Sequence, residues 1–245
     1  MTRLDWQVAR VVNVREETPR AKTLVLHVPS WPGHRAGQHV DIRLVAEDGY
    51  RAERSYSIAS APESDTVELT IERLGDGEVS PYLSDVLHAG DGLEVRGPIG
   101  GYFVWNTTLG GPLLLVAGGS GIVPLMAMLR HRQAARSGTG APAKLLYSSR
   151  TWDDVIYRDE IARLAESDPT LAVAHTLTRE KSATWSGYNR RIDRAMLTEF
   201  AFGVAEHPRI FVCGPTPMVE SVANALVDLG YDAATIKTER FGPTG

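Results

Sequence analysis

The sequence predicts a two-domain chain: an antiparallel β-barrel followed by an α/β domain built on a doubly wound parallel sheet. Three observations predict it. The first hundred residues carry short runs that alternate apolar and polar side chains, the period of half-buried strands. After Gly100-Gly101 the run Leu113-Leu114-Leu115-Val116-Ala117 is continuously apolar, as in a strand buried on both faces. From there strand-like and helix-like periods take turns to the end, the pattern of a parallel sheet with crossover helices. The boundary falls near Gly100 to Pro112, giving domains over residues 1–106 and 107–245.

Val40–Leu44 and Val67–Glu72 show the clearest alternation, and Gln7–Val14, Lys22–Val28, Arg54–Ala59 and Leu93–Arg96 supply four more strands. Gly and Pro separate them at residues 29–37, at Asp48-Gly49 and at Gly75-Asp76-Gly77. Six short strands at this spacing predict a barrel. One helix interrupts them, at about Ser80–His88. In the second half, helices are expected at Val123–Ser137, Tyr157–Glu166 and Asp193–Phe200, and strands at Lys144–Ser148, Leu171–Thr178 and Ile210–Cys213. The last helix, about Pro217–Leu229, has Thr216 as its expected N-cap, Pro217 at its first position and Gly230 at its end.

Composition narrows the function classes. The chain has 245 residues, 43% of them hydrophobic, enough for a large core. Its 26 Lys+Arg against 30 Asp+Glu leave a net charge of -4, which gives no support to nucleic-acid binding. Met1–Val14 lacks the apolar stretch of a secretory signal, and the longest apolar runs are far too short to span a bilayer. A soluble cytoplasmic protein without membrane insertion is expected. Cys213 is the one cysteine, so neither an intrachain disulfide nor a cluster held by several Cys thiolates can form. No metal site is expected.

Four stretches carry chemistry. In Val116-Ala117-Gly118-Gly119-Ser120-Gly121-Ile122-Val123-Pro124 a buried strand runs through glycines into a helix. That arrangement lets a backbone approach a pyrophosphate at a helix N-terminus, although a glycine turn after a strand is just as often structural. Arg54-Ser55-Tyr56-Ser57 offers a guanidinium for phosphate, a ring to stack on a flat heterocycle and a hydroxyl for a ring nitrogen; an ordinary exposed strand is the plainer reading. Gly77-Glu78-Val79-Ser80 precedes a helix, with Ser80 either its cap or part of an anion site. Val212-Cys213-Gly214-Pro215-Thr216-Pro217-Met218 lies at the C-terminal end of a parallel strand, where open α/β sheets bind ligands.

In order and spacing these stretches resemble the ferredoxin–NADP reductase superfamily of flavoproteins, over nearly the whole chain. Arg54–Ser57 is similar to the family's R-x-Y-S, Gly77–Ser80 to its G-x-x-S, Gly119–Pro124 to its G-x-G-x-x-P, and Cys213–Met218 to its C-G-P-x-x-M. Glu239-Arg240-Phe241 resembles the terminal E-x-F/Y of many members. The resemblance implies that Tyr56 stacks on a flavin with Ser57 near its N5, that Ser55 is among the cofactor-binding residues, and that Arg54 with Gly77, Glu78, Val79 and Ser80 holds a diphosphate, favouring FAD over FMN. It places Ile71, Glu72 and Arg73 along the adenine or ribitol side, and Phe241 over the other flavin face. Gly119, Ser120, Gly121, Gly214, Pro215 and Met218 would receive the nicotinamide nucleotide, with Ser57, Cys213 and Glu239 around the hydride transfer. Thr178-Arg179-Glu180 resembles the S-R-E that reads a 2′-phosphate, and Ser149-Arg150 adds a second cation. These favour NADPH over NADH.

The expected reaction is hydride transfer from NADPH to FAD, then single electrons to a separate ferredoxin, Rieske-type or haem protein, because one cysteine excludes a fused iron–sulfur domain. A flavin or ferric-chelate reductase is the alternative enzyme, and a binding module that has lost hydride chemistry is the alternative outside enzymes. Oligomeric state is open, with a monomer favoured.

Overall fold

A computed structural model describes residues 4–45, 49–75, 79–135, 141–180 and 184–242. Six strands, β1 (Gln7–Thr18), β2 (Ala21–His27), β3 (His39–Val45), β4 (Arg51–Ser57), β5 (Val67–Glu72) and β6 (Gly92–Ile99), form one sheet in the order β4-β3-β6-β1-β2-β5. Every pairing in it is antiparallel. An isolated bridge, Ile58 to Leu69, brings the two edges together just beyond β4, and the Ala59 N–H donates to the Glu68 carbonyl at 2.8 Å. The barrel closes there. Its interior is the apolar half of each alternating strand: Leu24, Leu26, Val40, Ile42, Leu69 and Ile71 are all buried.

The helix expected over Ser80–His88 is shorter and irregular: a helical turn α1 (Val79–Pro81) runs into a π-helical turn at Tyr82–Val86. Ser80 does not cap it. Its Oγ accepts a hydrogen bond from the Leu74 N–H at 3.1 Å and ties the preceding strand exit instead.

The second sheet has five parallel strands, β7 (Leu113–Gly118), β8 (Ala143–Ser149), β9 (Leu171–Leu177), β10 (Arg209–Pro215) and β11 (Ile236–Phe241), in the order β11-β10-β7-β8-β9. Helices α2 (Ile122–Ala134), α3 (Arg158–Ser167), α4 (Arg194–Phe200) and α5 (Thr216–Asp228) connect them. Every residue of β7 is buried, which is why that strand reads as an unbroken apolar run. Strand order reverses between β7 and β10, creating the switch point at which open sheets bind ligands.

One sequence expectation fails in this half, and one strand was not foreseen. Thr216 is the first residue of α5 rather than its cap: Pro215 holds the N-cap position, and the Thr216 hydroxyl is buried without a partner. Strand β11 has no period to read in the sequence, since Lys237, Thr238, Glu239 and Arg240 separate its only apolar residues, Ile236 and Phe241. It becomes a strand because β10 offers a free edge to pair with.

By packing, the residues up to Asn106 form one compact unit together with Met126–Ala134, and Thr107–Leu125 with the residues from Ala135 onward form a second. Within the first unit Arg130, on the back half of α2, donates to the Glu68 carboxylate and to the Ala59 carbonyl, both at 2.9 Å. No helix among the described residues is long and apolar enough to cross a membrane.

Candidate functional site

In the first unit the candidate residues sit on an edge strand. Through Arg51–Ser57, β4 pairs with β3 alone, and only Ala52 of its seven residues is buried. Pairing sets the faces: Tyr56 lies opposite Val40 and Arg54 opposite Ile42, on the side of the barrel core, whereas Ser57 lies opposite His39 and Ser55 opposite Asp41 on the other side. Tyr56 is half-buried against the core, and that burial pushes its phenol up to about 12, so the ring is a neutral stacking surface. The exposed Arg54 guanidinium donates to the Glu53 carbonyl at 2.7 Å and leaves most of its donors for a ligand. Ser55 is not on that face. Its hydroxyl donates to Asp41 Oδ1 at 2.7 Å.

Of the diphosphate turn, Gly77 and Glu78 lie outside the described residues. Val79 and Ser80 are buried at the start of α1, which packs against β4 and so brings the turn's end to the strand of Arg54 and Tyr56. On β5, Ile71 is a core residue with no exposed surface, Glu72 is half-buried, and the exposed Arg73 is engaged with Asp85 at 2.8 Å. Backbone, the Glu72 side chain and the remaining guanidinium donors of Arg73 are left here for a ligand.

The second unit gathers its candidates at the switch point. Three glycines are there because chains cross too closely for a side chain. A Cβ on Gly118 would meet Met218 Sδ at 2.4 Å, one on Gly121 would meet the Cys213 carbonyl oxygen at 2.2 Å, and one on Gly214 would meet Met218 Cε at 2.7 Å. Gly121 therefore serves the approach of two chain segments, and Met218 wedges the ends of β7 and β10. Gly119, with φ of 54°, makes the turn; its carbonyl accepts from the buried Tyr147 hydroxyl at 3.1 Å, and Ser120 beside it is half-exposed.

Cys213 is buried on β10 and stands in register with Glu239 on β11, two pairs before the Pro215–Phe241 pair. Burial pushes the Glu239 carboxyl up to about 7, and one of its oxygens has no partner. Burial first, and the Glu239 charge second, push the Cys213 thiol well up, so it stays protonated. Among the described residues six buried side-chain polar atoms lack a partner, and four of them (on Ser149, His175, Thr216 and Glu239) belong to this unit. Unpaired buried groups are costly, and their collection in one ligand-binding fold fits a site completed by a bound polar molecule.

At the adjacent ends of β8 and β9 the Thr178 N–H donates to the Ser149 carbonyl at 2.9 Å and the Arg179 N–H to the Arg150 carbonyl at 2.7 Å. This pairing brings the two predicted arginines together. Both are exposed and neither forms an ion pair with a described residue. The acid of the triplet, Glu180, accepts from the Trp152 N–H at 3.2 Å.

Sequence reasoning missed His39, the half-buried neighbour of Ser57, whose imidazole burial holds below the usual histidine range. It also missed Asp41 and Arg96. Both histidine and aspartate were visible in an alternating strand, but their partners follow only from β3–β4 pairing. His175, pushed down to about 4 by burial and set edge-on to Trp152 at 5.3 Å, left no sequence signal.

Comparison with known proteins agrees with both halves. Residues 9–104 match the oxidoreductase FAD-binding domain family and residues 115–224 the oxidoreductase NAD-binding domain family. The glycine betaine monooxygenase reductase subunit of Chromohalobacter salexigens is 31% identical over 240 residues, 96% of this chain; the chain spans 64% of that relative's length. NADH-cytochrome b5 reductase 1 of Aspergillus terreus is 31% identical over 205 residues, covering 81% of this chain and 68% of the relative. Among solved structures, the cytochrome P450 reductase GcoB of Amycolatopsis superposes with a TM-score of 0.84 at 26% identity, over 99% of this chain and 71% of that one. By these matches the chain belongs to the ferredoxin–NADP(+) reductase superfamily of FAD-dependent NAD(P)H oxidoreductases.

Proposed function

We propose that this chain oxidises NADPH through bound FAD and passes the electrons singly to a separate acceptor protein of the ferredoxin, Rieske-type or haem class. The observation that carries the reading is the register pair Cys213–Glu239 at the switch point, with one carboxyl oxygen unpartnered and the carboxyl pushed up to about 7 by burial. Residues 1–106 form the flavin domain and 107–245 the nucleotide domain. FAD supplies the step from a two-electron donor to a one-electron acceptor.

The chain's own residues bind and orient. Arg54 would neutralise the diphosphate that Gly77–Ser80 would help to hold, Tyr56 would stack on the flavin ring, and the Ser57 hydroxyl, with His39 beside it, would hydrogen-bond a flavin ring nitrogen. Gly119–Gly121 and Gly214–Met218 receive the nicotinamide nucleotide. Cys213, as a neutral thiol, and Glu239 would stand around the hydride transfer, and Phe241 would cover a flavin face. The paired ends of β8 and β9 present Arg150 and Arg179 to a 2′-phosphate, which supports NADPH over NADH. A separate acceptor is supported by relatives named as reductase components of oxygenases.

The test is the purified protein incubated with FAD. Flavin absorbance on the desalted protein, bleached by NADPH, supports the reading, and a colourless protein overturns it. Comparing kcat/KM for NADPH and NADH decides the donor, with Arg179→Ala expected to weaken NADPH alone. A screen of ferredoxins, cytochrome c, free flavin and ferric chelates decides the acceptor; turnover confined to free flavin or ferric chelates would replace the protein acceptor with a small one.

A further inference from the structure

The four residues Arg54–Ser57 ride on an edge strand of the barrel, and a chain of side-chain contacts ties its outer face. Ser55 donates to Asp41 Oδ1 at 2.7 Å, and Arg96 donates to Asp41 Oδ2, also at 2.7 Å. Arg96 in turn lies 4.6 Å from the centre of the Trp6 ring, whose other neighbour, Arg43 at 4.2 Å, is held by two hydrogen bonds to Glu94. The contacts run from β4 across β3 to β6 and end on the segment that precedes β1. The Asp41 side chain is only 16% exposed and burial alone would raise its pKa. The Arg96 and Ser55 hydrogen bonds overcome that and hold it below the usual carboxylate value. The relay is therefore charged and intact at neutral pH.

We propose that Ser55 is a positioning residue rather than a cofactor ligand: through Asp41, Arg96 and Trp6 it fixes the orientation of the strand that presents Arg54, Tyr56 and Ser57. The inference rests on the flavin reading above and deepens it. The physical reason is the edge position. A strand with one ladder partner and one buried side chain can twist by small angles at little cost, and a Tyr56 ring displaced by a fraction of an ångström stacks poorly. A hydrogen bond to a charged group is the strongest kind the outer face can supply.

Ser55→Ala removes the donor and leaves every proposed flavin contact in place. FAD dissociation constants are measured by titrating the deflavinated protein, and flavin reduction is followed at saturating NADPH. The expected result is about tenfold weaker FAD binding and slower reduction, with the KM for NADPH unchanged. Ser55→Thr restores both because it keeps the hydroxyl. Asp41→Asn, which keeps the acceptor but not the charge, falls between. FAD affinity and reduction rate of Ser55→Ala within about twofold of the wild type overturn the proposal, even if the melting temperature falls; about twofold is the scatter expected of a neutral surface change. If the wild-type protein itself binds no FAD, it is the flavin reading that fails, so the two failures are distinguishable.

Discussion

Strands β4 and β7 each carry a candidate site, and they are built in opposite ways. All six residues of β7 are buried and it has a partner on both sides, β8 and β10. Of the seven residues of β4 one is buried, and β3 is its ladder partner. Beyond the end of β7 Gly121 meets the backbone of Cys213 and Gly214, and Gly118 packs on the Met218 side chain, contacts that leave no room for a methyl group. On β4 orientation comes from polar side chains, the Ser55–Asp41–Arg96 relay. A site on a central strand is positioned by packing, which is intolerant of added volume; one on an edge strand is positioned by hydrogen bonds, which are sensitive to lost polarity.

The largest expected effect breaks the packed site. Gly121→Ala places a Cβ 2.2 Å from the Cys213 carbonyl oxygen, where only backbone movement can relieve it, and about 3 kcal/mol of stability is expected to go. Urea unfolding checks it. A loss under about 1 kcal/mol, the cost expected of a soft contact that side chains can absorb, means that the switch point is not rigid.

Glu239 gives the intermediate effect, and its sign follows from burial. The folded carboxyl, pushed up to about 7, keeps its proton over a range in which the unfolded one, near 4.5, has lost it. Stability is full below the unfolded value, falls as pH rises from there to about 7, and then levels off. Glu239→Gln has no proton to lose, so its unfolding free energy should fall less across that window. Denaturation at pH 5, 6, 7 and 8 measures this, and an identical slope in both proteins would place the carboxyl in contact with water.

The smallest effect belongs to the edge strand. Glu53→Ala, on the exposed face of β4, approaches Arg96 only at 3.8 Å and should change stability by no more than about 0.5 kcal/mol. A larger loss would show that β4 is anchored more broadly than by the Ser55 relay.

Much of this was legible in one dimension. The period-two alternation of Val40–Leu44 and the apolar run of Leu113–Ala117 follow directly from one-sided and two-sided burial, so both sheets were readable. Cys213, Gly121 and Arg54 were also readable as candidates, because the order and spacing of their stretches resemble the family's motifs, although each stretch alone has a plain structural reading. Other features were out of reach. Burial of the Ile71 side chain leaves only its backbone to a ligand, Thr216 was expected to cap a helix but hides its hydroxyl, and β11 showed no period.

What the sequence determined by itself is local: which segments are strands or helices, which strand is buried on both faces, and that no iron–sulfur cluster of several Cys thiolates can be built from Cys213 alone. Tertiary structure decided every property that depends on a partner far along the chain. Pairing of β3 with β4 turned Ser55 toward Asp41, pairing of β10 with β11 set Glu239 beside Cys213, and packing of Met218 on Gly118 gave that glycine its reason. A side chain's period is written in its own neighbours, whereas its face, its charge state and its hydrogen bonds are set by residues that only folding brings near.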